Sequence, residues 1–323
     1  MTSNNPVLLI TSAAAKTPLI EAARNALGRV TPKGRLIAGD ISELVVSRYI
    51  TDNFWKMPPA TDEHLDEIIS NCNSRQINII LPTRDGELLF WARHKSIFKE
   101  HGITVLISPE ESIRLCLDKL AFSSFGHKNN LPIIPASTSP DKIHSSSIVT
   151  KERHGSGSEK VGLAMTPDLA VAFSKKLEHP IFQPYIKGKE ISIDAWLTKN
   201  HQVKGLILRY RDLVSRGEAQ VTTTFREPEL ERQMENIFVE LKLSGPVMLQ
   251  AILDDTGTPH IIECNPRFGG ASTASIAAGL DSIYWSLLES IGHETTTLKF
   301  QRRTTEIQQI RITKDIYVNA TDF

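Results

Sequence analysis

Three oxygen-bearing side chains are spaced to meet on one face of a predicted β-hairpin. Two apolar runs flank the sequence Asp-Asp-Thr-Gly, a pattern typical of an antiparallel hairpin. If Thr256-Gly257 forms a two-residue turn, Gln250 falls directly opposite Glu263. Side chains alternate along a strand, so Asn265 shares the face of Glu263. The spacing therefore predicts a cluster of two amides and one carboxylate.

This cluster has the chemistry of a magnesium site. Mg²⁺ prefers hard oxygen ligands and takes one or two carboxylates together with phosphate oxygens of a substrate. Arg267 follows closely and supplies a cation for such an anion. The alternative is a polar strand face in which Asn265 caps a turn.

Two lysines precede this hairpin at positions suited to phosphate. Lys119 follows Asp118 near a predicted helix start, where the helix dipole also favours an anion, although exposed Asp-Lys pairs are common and this dipeptide alone indicates no site. Lys151 ends a predicted strand and leads into the small residues Gly155-Ser156-Gly157-Ser158, whose backbone N–H groups can surround phosphates. No Gly-Lys-Ser/Thr follows, which excludes a Walker A loop. A solvated turn is the alternative.

Two arginines alternate with Tyr210 along a further predicted strand. Arg209 and Arg211 share a face, and we expect one of them to face a triphosphate or an acidic substrate. A surface ion pair is the alternative. The run Tyr-Arg-Asp-Leu is similar to a protein-kinase catalytic loop, but Gly217 stands where that loop needs Asn and no Asp-Phe-Gly follows. A kinase is therefore excluded.

The composition argues against several other classes of protein. The 323 residues include 37 Lys+Arg and 37 Asp+Glu, so there is no cationic excess for nucleic-acid binding. The three cysteines form no CxxC pair, which argues against a structural zinc site or a disulfide scaffold. No apolar run approaches the length of a membrane helix or a signal peptide. We expect a cytoplasmic protein with no membrane or nucleic-acid partner.

The elements that must position these residues begin with an alternation of strands and helices. Apolar runs near residues 7–11, 36–38, 77–81 and 103–107 alternate with helical spacing, and a weak further element lies near 48–53. This order predicts a mostly parallel sheet covered on both faces. The first strand is not followed by GxGxxG, which argues against a dinucleotide site. The pattern changes near residue 110.

The run from Gly245 to Gly270, with its Ile-Ile-Glu-Cys-Asn-Pro-Arg-Phe-Gly-Gly core, resembles the metal-binding end of ATP-grasp enzymes. It is most similar to the synthetase half-modules of the carbamoyl-phosphate synthase large subunit. The resemblance implies an α/β and α+β protein: a Rossmann-like parallel-sheet domain over 1–110, then a two-subdomain ATP-grasp fold with a small lid subdomain over 111–182 and a metal-binding subdomain over 183–323.

The resemblance also implies roles for individual residues. Gln250, Glu263 and Asn265 would be the metal ligands, and Arg267 would face the transferred phosphoryl group. Beside this resemblance, we expect Lys151 and Arg209 to act with Arg267 in catalysis. The nucleotide would be held by Lys119, Lys151, Gly155, Ser156, Gly157, Ser158, Gln183, Tyr185, Ile186 and Glu190. Among these, Gln183 would contact adenine and Glu190 the ribose. Glu152 stands where relatives often have Pro, and we expect it to add negative charge near the phosphates.

The implied activity is that of an ATP-dependent ligase forming ADP and phosphate. Such enzymes activate a carboxylate as an acyl phosphate, which an amine or similar nucleophile attacks. The cofactors would be ATP and Mg²⁺, with Mn²⁺ as the alternative ion, and the partners a small-molecule carboxylate and an amine. Homodimers are frequent among relatives. The alternative function is a non-catalytic ATP-binding sensor or scaffold.

The sequence offers one candidate residue for binding the acceptor. Arg84 could bind a substrate carboxylate, and the default interpretation is a salt bridge from Arg84 to Asp85 or Glu87.

Overall fold

The computed structural model describes residues 5–155 and 160–319, which form two compact units. One unit comprises the chain up to Ile107, Asp281–Phe300, and the residues from Gln308 onward. The other comprises Ser108–Leu280 and Gln301–Ile307. The division into 1–110, 111–182 and 183–323 stays a prediction.

Helices and strands alternate through the first unit and give way to long strands in the second. The helices are α1 (Thr17–Val30), α2 (Leu65–Ser74), α3 (Asp85–Arg93), α4 (Lys95–Glu100), α5 (Glu110–Leu117), α6 (Lys119–Lys128), α7 (Pro167–Ser174), α8 (Pro228–Glu240), α9 (Ser272–Ala277) and α10 (Ser282–Ser290). The strands are β1 (Val7–Ile10), β2 (Arg35–Asp40), β3 (Asn53–Lys56), β4 (Ile79–Leu81), β5 (Thr104–Val105), β6 (Ile148–Glu152), β7 (Gly162–Met165), β8 (Pro180–Pro184), β9 (Lys189–Leu197), β10 (Val203–Ser215), β11 (Glu218–Phe225), β12 (Gly245–Leu253), β13 (Pro259–Asn265) and β14 (Gln308–Ile310).

The first unit contains the predicted parallel sheet. Its strands lie in the order β3-β2-β1-β4-β5, and every neighbouring pair is parallel. This order reverses beside β1, as in Rossmann-type sheets. The weak element expected near 48–53 is a short 3-10 turn, and the strand follows it at Asn53–Lys56. The prediction of an N-terminal Rossmann-like domain is confirmed.

The second unit is built on a larger antiparallel sheet in which β13, β12, β9, β10 and β11 follow one another as neighbours. Alternation gives this sheet two unlike faces. From β9, Ile191 and Ile193 enter a core that also contains Met234 and Phe238 of α8. The opposite side carries the polar residues of the same strands, and we call it the polar face.

A smaller sheet completes the second unit. Strand β6 lies between β7 and β8 and is antiparallel to both. Its inner side packs Ile148 and Phe182 against Ala170 of α7. Lys151 therefore stands at the end of a central strand, on a backbone held from both sides.

The β12–β13 hairpin differs from the predicted two-residue turn. The last paired residues are Leu253 and Pro259, and the loop closes by hydrogen bonds between Asp254 and Thr258 and from Gly257 N to Asp254 O. Gly257 has φ +83°, a left-handed conformation that glycine adopts without strain. The Asp254 carboxylate accepts from Thr256 N, Thr256 Oγ1 and Thr258 N. A carboxylate that satisfies this many loop donors favours the longer loop.

The expected partner of Gln250 is nevertheless correct. The longer loop shifts the ladder by one residue, so that Ala251 pairs with Ile261. A β-bulge then places Ile262 outside the ladder and restores the pairing of Gln250 with Glu263. The loop and the bulge therefore shift the register of the two strands by one residue in opposite directions.

Candidate active site

The polar face brings the three expected metal ligands together. Gln250 lies opposite Glu263, and Met248 lies opposite Asn265 on the same two strands. Directly paired residues project to the same side of a sheet, and so do residues two apart on one strand. Gln250, Glu263 and Asn265 consequently share one face, while Cys264 is buried in the core behind them.

Hydrogen bonds connect the last of these residues to the following arginine. Asn265 donates from Nδ2 to Glu263 Oε1 at 3.1 Å. Arg267 donates from Nη2 to Asn265 Oδ1 at 3.2 Å and from Nη1 to the carbonyl oxygen of Phe268 at 3.0 Å. The chain Glu263–Asn265–Arg267 alternates acceptor and donor groups, so each side chain restrains the next.

Lys151 lies beside this chain of hydrogen bonds. Its side chain is 7% exposed. Burial lowers the pKa of Lys151 from 10.5 to about 8, against an opposing attraction from Glu263 and with a smaller contribution from Lys119. A buried ammonium group with a depressed pKa is costly in the empty protein and gains most when an anion arrives. Such perturbed groups cluster at functional sites.

Asp118 joins the two lysine-bearing segments. Its carboxylate caps α6 by accepting from Leu120 N and Ala121 N. The same carboxylate binds the Arg153 guanidinium at 2.8 and 2.5 Å. Burial alone would raise the pKa of Asp118, but Arg153 and the capping N–H of Ala121 outweigh it and hold the pKa below its ordinary value.

The start of the predicted phosphate loop is tied to the same helix. Lys119 donates from Nζ to the carbonyl oxygen of Gly155 at 2.6 Å, and its backbone N–H donates to Arg153 O. Lys119, Lys151 and Gly155 are thus brought together. The predicted loop residues Ser156, Gly157 and Ser158 lie outside the described residues.

Glu152, which we expected to add negative charge near the phosphates, has its carboxylate bonded to backbone N–H groups elsewhere. Glu152 follows Lys151 on a strand, so the two side chains point to opposite sides. The Glu152 carboxylate accepts from Glu178 N at 2.7 Å and His179 N at 3.0 Å. Burial opposes these bonds, yet they hold the pKa of Glu152 below its ordinary value. The carboxylate anchors the segment that leads into β8.

The expected adenine-binding segment has part of its polar groups already in use. Gln183 is buried and donates from Nε2 to Ile134 O at 3.2 Å, and the backbone N–H of Tyr185 donates to Ser147 O. Ile186 is half-buried. The carboxamide oxygen of Gln183 and the Tyr185 carbonyl are the groups of this segment suited to a ligand. The roles of all three stay predictions.

Glu190 and Arg211 form an ion pair at the start of β9. Arg211 donates from Nε to Glu190 Oε2 at 3.0 Å and from Nη2 to Gly217 O. The Arg211 side chain is 7% exposed, whereas that of Glu190 is 50% exposed. Glu190 is therefore accessible to a ribose, and Arg211 holds it in place.

Arg209 lies in a buried network that the sequence did not reveal. Its side chain is 1% exposed and donates from Nε to Asp194 Oδ2 at 2.7 Å. Asp194 also accepts from the hydroxyls of Ser272 and Ser275 at the start of α9, and Ser272 in turn accepts from Gly269 N. The network fixes the segment after Arg267 to the sheet. The catalytic role of Arg209 stays a prediction.

Asp194 and Ser192 were missed although the sequence carried a signal for them. Strand β9 reads Glu-Ile-Ser-Ile-Asp-Ala from residue 190 to 195, an alternation of polar and apolar side chains. This alternation alone puts Glu190, Ser192 and Asp194 on one face. The neighbours of that face were not predictable from it, because they come from strands distant in the sequence.

The acceptor candidate Arg84 lies in the first unit, just after β4. Arg84 donates from Nε to Ser12 Oγ at 3.3 Å. Glu87 is buried and its carboxylate accepts from Thr11 Oγ1, Trp91 Nε1 and the backbone N–H of Arg84. The Glu87 carboxylate is thus hydrogen-bonded to these groups, while the Arg84 guanidinium is exposed.

The donors on the polar face fit a hard divalent cation. In residues 5–155 and 160–319 there is no group of three or more His, Cys, Asp or Glu that could hold a metal ion. Gln250, Glu263 and Asn265 offer one carboxylate and two amide oxygens, a set that Mg²⁺ accepts when phosphate oxygens complete it.

No helix of the described chain is long and apolar enough to cross a membrane.

Two family models match the chain. Residues 176–314 match the family described as ATP-grasp in the biosynthetic pathway with Ter operon. Residues 8–106 match the PylC-like N-terminal domain. No curated protein sequence matches the chain.

Solved structures of similar fold cover nearly the whole chain. The biotin carboxylase domain dimer of Hydrogenobacter thermophilus 2-oxoglutarate carboxylase, in complex with MgADP, ADP and bicarbonate, is 16% identical with a TM-score of 0.74, over 93% of this chain and 73% of that one. L-amino acid ligase from Bacillus licheniformis is 17% identical with a TM-score of 0.70, over 94% and 78%. N5-carboxyaminoimidazole synthetase from Staphylococcus aureus, complexed with ADP, is 15% identical with a TM-score of 0.68, over 90% and 78%.

The narrower resemblance to carbamoyl-phosphate synthase half-modules stays a prediction. The broader similarity to ATP-grasp enzymes is supported by the family model over residues 176–314 and by a fold shared along almost the full length. A parallel-sheet domain, a small antiparallel sheet and a larger antiparallel sheet with a polar face follow in the order expected for that fold. Residues 176–314 therefore match an ATP-grasp family, and the chain has the fold of the ATP-grasp enzymes it resembles.

Proposed function

We propose that this protein is an ATP-dependent carboxylate–amine ligase that forms ADP and phosphate. The observation that carries the proposal is the meeting of opposite charges where Lys151 of the smaller sheet lies near Glu263 of the polar face. A buried ammonium group, Lys151, is close enough to Glu263 for the carboxylate to affect its pKa. Phosphoryl transfer needs such positioned charge and no protein nucleophile.

The residues of the candidate site have different roles. Lys119 and Lys151 bind phosphate oxygens of ATP, while Gln183, Tyr185, Ile186 and Glu190 hold the nucleoside. Gln250, Glu263 and Asn265 hold a divalent cation, Mg²⁺ or Mn²⁺, which would neutralise negative charge on the phosphates. Arg267 faces the transferred phosphoryl group, and its hydrogen bond to Asn265 orients it.

The reaction balances without a further reactant. A carboxylate oxygen of the acceptor bonds to the γ-phosphorus, the bond from that phosphorus to the bridging oxygen breaks, and ADP leaves. The amine nitrogen then bonds to the acyl carbon and loses a proton while phosphate leaves. The fold is shared with an amino acid ligase and a carboxyaminoimidazole synthetase, which supports this class of reaction. ATP as the substrate favours a cytoplasmic location.

The test is incubation with ATP, Mg²⁺ and pooled small carboxylates and amines. We expect release of ADP and phosphate in equal amounts and a new amide detectable by mass spectrometry. The double variant Glu263→Gln with Asn265→Ala should lower the rate by about 100-fold or more, since charge stabilisation of the transferred group is lost.

Glu240→Gln makes the same chemical change at the exposed end of α8 and serves as the control. It should retain the wild-type rate. Tight binding of Mg²⁺–ATP without ADP formation across a broad panel would contradict a ligase and favour a sensor or scaffold. Normal turnover by the double variant would contradict the metal assignment.

A further inference from the structure

A row of four polar side chains crosses the polar face from one strand to the next. Arg209 of β10 pairs with Ser192 of β9, Ser192 pairs with Gln250 of β12, and Gln250 pairs with Glu263 of β13. Residues directly opposite in antiparallel strands have Cβ atoms about 4.5–5.5 Å apart. Ser192 is therefore the direct neighbour of an expected metal ligand.

The hydroxyl of Ser192 is buried and has no hydrogen-bond partner. Ser192 is 0% exposed, and its Oγ is one of a few buried side-chain atoms without a partner among the described residues. The neighbouring Arg209 directs its guanidinium to Asp194, Thr222 and Met248 instead. Buried hydroxyls are nearly always hydrogen-bonded, because leaving one unpaired costs free energy. The orphaned oxygen indicates that a partner arrives when the site is filled.

Gln250 has the chemistry of that partner. A glutamine that gives its Oε1 to a cation still carries two N–H donors on Nε2, and these need acceptors. The other amide of the site follows this pattern, since Asn265 donates from Nδ2 to Glu263 Oε1. The oxygen of Ser192 is the corresponding acceptor for Gln250, on the adjacent strand.

We propose that Ser192 is a positioning residue that accepts a hydrogen bond from Nε2 of Gln250 and so turns Oε1 toward the cation. The inference rests on the proposed function, because it requires that Gln250 binds a metal ion. It explains why a serine stands in the middle of an otherwise well-satisfied sheet. It also explains why an amide, rather than a carboxylate, suits position 250, because only an amide can donate to the Ser192 hydroxyl.

The experiment measures Mn²⁺ binding to the ATP-loaded full chain by electron paramagnetic resonance, with protein in excess over ATP. Ser192→Ala should weaken Mn²⁺ binding by about 3- to 10-fold, the range for one hydrogen bond. The affinity for ATP in the presence of EDTA, measured by calorimetry, should not change. Ser47→Ala removes another buried, unpartnered hydroxyl, in the first unit, and should have no effect.

A second background separates positioning from a general loss of packing. In Gln250→Glu, the ligand is a carboxylate without N–H donors, so the added Ser192→Ala change should leave Mn²⁺ affinity unaltered. Equal Mn²⁺ affinity of wild type and Ser192→Ala would overturn the inference alone. The same loss in both backgrounds would also overturn it, in favour of a packing role. Failure of the wild type to bind Mn²⁺ with ATP would overturn the proposed function as well.

Discussion

Gln250 lies directly opposite Glu263 because a bulge at Ile262 offsets a one-residue shift of the ladder. That shift arises because the hairpin loop is longer than a two-residue turn. The pairing of these two side chains defines the centre of the candidate metal site. It depends on the backbone of the hairpin as much as on the residues themselves. The loop that sets the ladder is in turn held by the Asp254 carboxylate and by the left-handed conformation of Gly257.

Gly257→Val should destabilise the hairpin by about 1 kcal/mol or more, since a β-branched residue is strained at positive φ. Added atoms meet no obstacle, because nothing lies within 4 Å of the site of a Cβ at this position. The measurement is hydrogen exchange of the β12 and β13 amides. Gly257→Asn is the matched control and should cost less, because Asn tolerates this conformation. Equal protection in all three proteins would show that the loop is not conformationally restricted.

Lys151 predicts a pH dependence of ATP binding. Its pKa of about 8 means that the ammonium loses its charge as pH rises through 8, whereas an ordinary lysine stays charged to 10.5. ATP affinity should therefore be greatest below pH 8, and Kd should increase by up to tenfold per pH unit just above it. Calorimetry between pH 6.5 and 9.5 measures this.

Two variants identify the titrating group. Lys151→Met should bind ATP weakly and lose the pH dependence, whereas Lys128→Met, at the exposed end of α6, should keep it. Glu263 and Lys119 are the charged groups that influence Lys151, so Glu263→Gln should move the midpoint to lower pH. A flat wild-type profile would refute the assignment.

Asp118→Ala should weaken ATP binding several-fold and lower stability by about 1 kcal/mol, the usual cost of a lost helix cap. The variant removes both the cap of α6 and the anchor for Arg153. Asp118→Asn keeps an oxygen for the cap but not the charge for the arginine, so its effect should be intermediate. Calorimetry and thermal unfolding are the measurements. Asp168→Ala, an exposed acidic residue in the first turn of α7, should match wild type.

Arg209 and Arg211 should respond differently to removal of their charge. Arg209→Met leaves the Asp194 carboxylate buried without a cation, and such a change costs about 3–5 kcal/mol. Arg211→Met leaves Glu190, which is half exposed, and should cost about 1 kcal/mol or less. Hydrogen exchange of β9 and β10 compares the two. An Arg209→Met protein that keeps wild-type protection but loses activity would point to direct contact between Arg209 and substrate.

The sequence was informative where the signal is local and silent where partners are distant. The parallel sheet and the shared face of Glu263 and Asn265 follow from periodicity and spacing. The Gln250–Glu263 pairing was expected from a two-residue turn and is observed because the longer loop and the bulge compensate for each other. The turn was predicted one residue too short, because its length depends on how many loop donors Asp254 satisfies. The burial of Arg209 was not predictable, since it depends on Asp194, 15 residues away, and on serines of α9 that lie further along the chain.

Strand β9 limits how this protein can diverge. Ser192 and Asp194 lie on the polar face, while Ile191 and Ile193 face the core. Inserting or deleting one residue within β9 would exchange the two sets, placing carboxylates in the apolar interior and isoleucines on the polar face. Divergence within β9 must therefore proceed by substitution, because a change in its length would turn the strand over.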